Sequence, residues 1–89
     1  MRVLQFNIES VEMQDHRARA VVWVCHEELD TAEHRAREHL KALGWLVEKA
    51  MMSLVATPSE VRKLEPAARQ AYRAALSSGI CAVIHWQHA

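Results

Sequence analysis

Ala20-Val21-Val22-Trp23-Val24-Cys25 is apolar at every position and rich in β-branched residues. A run of this kind reads as a strand covered on both faces. Just beyond it, Asp30-Thr31-Ala32-Glu33 has the spacing of a capping box. Asp30 would accept from the free amides of a first helical turn and Glu33 would reach back. Ala32, Ala36, Leu40 and Leu43 then recur on one helical stripe, and Gly44 supplies a left-handed stop. The pattern predicts a helix over 31–43, so this stretch is a covered strand feeding a helix. The rest of the chain is read outward from that unit.

Upstream, Leu4, Phe6 and Ile8 alternate with Gln5, Asn7 and Glu9, which predicts a strand over 3–12 with one wet face. The polar stretch 13–17 is short enough for a hairpin loop. Downstream, 45–56 predicts a third strand, irregular near Glu48, with Met51 and Met52 as core filler. Thr57-Pro58-Ser59-Glu60 predicts a short helix with Thr57 as its cap, and Pro66 restarts a longer one running to about residue 77. Ala68, Tyr72, Ala75 and Leu76 would face the core, widened by Ala67, Ala71 and Ala74. Gly79 stops this helix, and Ile80-Cys81-Ala82-Val83-Ile84 is again apolar on both faces.

These elements make one α+β domain over residues 1–89, in ββαβαβ order. Right-handed crossovers between successive parallel strands would place both helices on the same side. The expected fold is therefore a two-layer sandwich: a four-stranded mixed sheet with two helices packed on one face. The two covered strands are expected at the centre and strand 3–12 at an edge.

Composition narrows the function. Of 89 residues, 51% are hydrophobic, enough for a core without staples. Eleven basic and eleven acidic side chains cancel, which removes the long-range field a nucleic-acid binder or anionic-membrane binder uses. No apolar run approaches the roughly 20 residues of a membrane span, and the first residues do not read as a signal peptide. Two cysteines inside apolar runs read as reduced thiols of a cytoplasmic protein.

Six histidines invite a search for metal sites. His34 and His39 are five apart and do not share a helix face. Cys81 and His85 lie four apart on one strand, roughly 13 Å from each other. If strands 20–26 and 80–86 are neighbours, His26, His85 and His88 are the candidate ligands, with zinc as the metal such ligands would take. No CxxC or HExxH spacing supports them, and no other cofactor is expected. No serine sits in a Gly-x-Ser-x-Gly context, and Glu27, Glu28 and Asp30 suit a helix N-terminus. The reading therefore leans against an enzyme.

Two features point to interaction. With both helices on one face, the other would expose part of a covered strand, and Val22, Trp23 and Val24 are the candidate contact residues. Arg62, Lys63, Arg69 and Arg73 form the one local charge asymmetry. Arg69 and Arg73 are read as a solvated face or, more sharply, as a surface for an acidic partner. The leading expectation is a non-enzymatic interaction domain that self-associates as a homodimer, or binds another protein, through the sheet face away from the helices. The alternatives are a metal-binding or pH-responsive protein, and a small-molecule binder with a dimer-completed pocket near Met51, Met52, Trp23 or Tyr72.

Overall fold

The structure, a computed structural model, describes residues 1–12 and 16–86. Its elements are β1 (Arg2–Ser10), β2 (Arg17–Val24), α1 (Leu29–Ala42), β3 (Trp45–Val55), α2 (Pro58–Val61), α3 (Pro66–Ser78) and β4 (Ile80–Trp86). Part of the expected hairpin loop, residues 13–15, lies outside the described residues. Among these residues no helix is long and apolar enough to cross a membrane.

The strands form one open sheet in the order β3-β1-β2-β4, and every neighbouring pair is antiparallel. The mixed sheet is therefore corrected. β2 and β3 do run parallel to each other, but β1 lies between them, so the α1 connection steps over a strand. β4 then pairs antiparallel to the free side of β2. β1 is central rather than at an edge, and the doubly apolar β4 is itself an edge.

The expected two-layer arrangement is also corrected. Successive strand residues point to opposite faces, and the core divides along that parity. On one face, Leu4, Phe6 and Ile8 of β1 and Ala18, Ala20, Val22 and Val24 of β2 pack under Ala32, Ala36 and Leu40 of α1. On the other, Trp23 packs with Ala71 and Ala75 of α3 and with Ala56 and Val61, flanked by Val3, Val21, Cys81 and Val83. The link from β3 to β4 must travel from one sheet edge to the other. With α1 already on the first face, α2 and α3 take the second.

Local signals explain most boundaries. Thr57 accepts from the Glu60 amide at 3.4 Å and donates to the Glu60 carboxylate at 2.9 Å, with Pro58 at the first helical position. Gly79 ends α3 at φ +91°, a left-handed conformation that costs a side-chain-bearing residue energy. α1 departs from the pattern. It begins at Leu29, with Glu28 at the cap, so Asp30 lies inside the first turn rather than capping it. The imidazole of His26 offers Nδ1 to the Glu28 amide at 3.1 Å and satisfies a donor just ahead of the helix.

The helix stripes shift in the same way. Ala32, Ala36 and Leu40 are fully buried, whereas Leu43 is 57% exposed. In α3 only Ala71 and Ala75 are buried; Leu76 points outward. Met51 and Met52 are exposed on β3 rather than filling the core.

Candidate functional site

The candidate histidines among the described residues do not converge. β2 and β4 are neighbours, as a metal site would need, but their register keeps the histidines apart. His85 lies opposite Arg19, and the Val24–Ile80 pair is five residues further along the ladder. His26 lies two residues beyond Val24 again. At ~3.3 Å per residue, His26 and His85 are about 20 Å apart, far beyond a shared ligand sphere. The guanidinium of Arg19 across from His85 further disfavours a cation there. His88 falls outside the described residues. Among the described residues no three His, Cys, Asp or Glu side chains gather as a metal site.

The candidate contact residues of β2 are core residues. Val22 and Val24 are completely buried beneath α1. Trp23 is 5% exposed and meets the ring of Tyr72 edge-on, with centroids 6.2 Å apart. They are unavailable to a partner because each sheet face carries a helix. Of the residues expected near a pocket, Met51 and Met52 are exposed on the outer strand β3, and the rings of Trp23 and Tyr72 pack on each other. Cys25 and Cys81 are both free thiols.

Arg69 and Arg73 do sit on an open surface. With Pro58, Val61, Arg62, Tyr72 and Leu76 they line a groove between α2 and α3. Among the described residues the ion pairs are Arg37–Glu33 and Lys41–Glu38, both on α1. The groove arginines have no carboxylate partner in that set.

The feature that sequence reasoning missed is the outer edge of β4. Its signal was present: a strand apolar on both faces has the composition of an interior strand. In the sheet, however, it has a neighbour on one side only. Its residues Ile80 to Ile84 are all half-buried, and none of its seven residues is Asp, Glu, Lys or Arg. Its pairing with β2 is continuous from Ala18–Trp86 to Val24–Ile80, with no bulge.

The direction of its peptide groups follows from one hydrogen bond. The Cys25 amide donates to the Gly79 carbonyl at 2.9 Å. In an antiparallel ladder, hydrogen-bonded and non-hydrogen-bonded pairs alternate. The Trp23–Cys81, Val21–Val83 and Arg19–His85 pairs are then the hydrogen-bonded ones. Ile80, Ala82, Ile84 and Trp86 turn their amides and carbonyls outward. The Ser78 hydroxyl, shared between the Ala74 carbonyl at 2.8 Å and the Ile80 carbonyl at 2.9 Å, reaches the latter because it faces outward.

The other edge, β3, is built differently. It shows register shifts against β1 between Gln5 and Phe6 and between Phe6 and Ile8, and it carries Glu48 and Lys49 near its middle. Arg37 of α1 donates to the Glu48 carbonyl at 3.2 Å. Bulges and charges are the usual means of blunting an edge against strand addition. β4 carries neither.

No protein-family model matches the chain, and no curated protein or solved structure matches it.

Proposed function

We propose that this chain is a non-enzymatic interaction domain that self-associates, with the β4 edge as its contact. One observation carries the reading: β4 has the sequence of an interior strand and the position of an edge strand. The expected contact through a helix-free sheet face gives way to this edge, because each face is occupied by a helix.

The geometry suits a second copy. A twofold axis through Val83 pairs β4 antiparallel with its mate over all seven residues. Ala82 then lies opposite Ile84 of the other copy, with their outward amides and carbonyls exchanging hydrogen bonds. The small side chain of Ala82 meets the larger one of Ile84, so the paired strands keep an even surface. Registers shifted by two residues in either direction also match the outward groups, but they pair a shorter stretch. The outcome is an eight-stranded sheet whose former edges become its centre. Closed twofold dimers are the commonest oligomers, and self-complementary edges are their simplest interface.

Sedimentation velocity over a series from roughly 1 to 200 µM tests this, a range that spans dissociation free energies of about 5 to 8 kcal/mol. The expected result is a dimer whose fraction rises with concentration. A monomer at every concentration contradicts the proposal.

A further inference from the structure

The groove between α2 and α3 is independent of the β4 edge. Val61 is nearly buried at its floor, with Pro58, Tyr72 and Leu76 beside it. Leu76 is 54% exposed although it belongs to a helix packed on the sheet. Arg62, Arg69 and Arg73 form the rim. Lys63 follows Arg62 in the connection between the helices. The nearest acids in sequence are Glu60, engaged by the Thr57 hydroxyl at 2.9 Å, and the exposed Glu65 ahead of α3. No ion pair among the described residues joins either acid to the rim.

An apolar floor needs an apolar occupant to gain from burial. Three guanidiniums without a carboxylate partner among the described residues favour an acidic occupant, and their planar donors are well suited to carboxylates. We propose that this groove receives an acidic peptide segment of a partner protein, with a leucine-sized anchor on Val61, Tyr72 and Leu76. The spacing supports an extended segment. Arg69 and Arg73 are four residues apart on α3, about 6 Å along its axis. Carboxylates two residues apart in an extended chain are about 6.7 Å apart. The side chain between them points to the opposite side of the chain and can enter the floor.

The probe is a fluorescein-labelled peptide in which glutamates flank a central leucine at alternate positions, titrated with the full chain and followed by fluorescence anisotropy. Binding is expected in the tens of micromolar at low salt and at least about fivefold weaker in 0.5 M NaCl, because exposed charges are screened there. Arg69→Glu together with Arg73→Glu should abolish binding while leaving the circular dichroism spectrum unchanged. Replacing the peptide's leucine with serine should weaken binding about tenfold, the loss expected when the apolar anchor goes. Leu76→Asp is a second surface variant with the same expected loss.

Three results overturn the proposal. One is no binding at millimolar peptide. Another is equal competition by inorganic phosphate, which would make the groove a simple anion site. The third is a change in sedimentation of the doubly substituted chain without peptide, which would make a second copy the occupant. Loss of the β4 dimer leaves these readouts unaffected, so the two proposals fail separately.

Discussion

Replacing Ala82 with proline and, separately, Cys81 with proline should give opposite phenotypes from adjacent residues. Proline removes one backbone donor, and what is lost depends on where that donor points. The Cys81 amide faces β2 within the sheet, because Trp23 and Cys81 form a hydrogen-bonded pair in the ladder set by Cys25 and Gly79. Cys81→Pro orphans the carbonyl of nearly buried Trp23 and wedges a ring between paired strands. The orphaned acceptor alone costs about 1–3 kcal/mol. For a domain of this size, each kcal/mol lowers Tm by about 4–8 °C.

The Ala82 amide faces outward, where proline on an edge is tolerated. Ala82→Pro should leave the monomer's melting temperature within a few degrees of the parent. It removes two hydrogen bonds from the proposed dimer, one per copy. At about 0.5–1.5 kcal/mol each, the dimer loses about 1–3 kcal/mol. That raises the dissociation constant about 5- to 150-fold. Thermal melting at low protein concentration, with sedimentation equilibrium on the same samples, reads both effects. The reasoning is refuted if Ala82→Pro unfolds the monomer as Cys81→Pro does, or if it leaves the dissociation constant unchanged.

Other substitutions test the assignment of core and surface. Leu40→Ala, at a fully buried position under α1, should cost about 2–5 kcal/mol in urea unfolding, whereas Leu43→Ala should change stability by no more than about 0.5 kcal/mol. Gly79→Ala meets no neighbouring atom within 4 Å but sits at φ +91°. It should therefore cost about 1–2 kcal/mol through backbone strain alone, seen as a lower melting temperature without a change in spectrum.

Local chemistry was the legible part of the sequence. Thr57-Pro58-Ser59-Glu60 announces α2, Gly79 announces the end of α3, and the interruption at Glu48 corresponds to the register shifts of β3. Periodicity in β1 identifies Leu4, Phe6 and Ile8 as one face. Long-range arrangement was not legible, because it depends on which strands pair. Val21 to Val24 read the same whether one helix or two cover the sheet. Only the position of β1 between β2 and β3 shows that α3 must cross on the far side. The same ambiguity made Val22, Trp23 and Val24 look like a contact surface when two helices bury them. It also hid the edge position of β4, because an apolar strand has the same composition whether it ends at the centre of its sheet or at the rim. The candidate metal set turned on the same kind of information: β2 and β4 are adjacent, but their register holds His26 and His85 apart, and His88 lies outside the described residues.

The central claim is that β4 pairs with β4 of a second copy about Val83. In an antiparallel non-hydrogen-bonded pair the two Cα atoms are about 4.5 Å apart, within the range a disulfide spans. The direct measurement is cross-linking of Val83→Cys in a chain whose native thiols are removed by Cys25→Ser and Cys81→Ser. In a glutathione redox buffer this chain should form a covalent dimer that keeps the parent's circular dichroism spectrum and melts at a higher temperature. Met52→Cys in the same background, on the opposite edge of the sheet, should form no covalent dimer. A Val83→Cys chain that forms no covalent dimer while Met52→Cys cross-links would contradict the account and move the interface to β3.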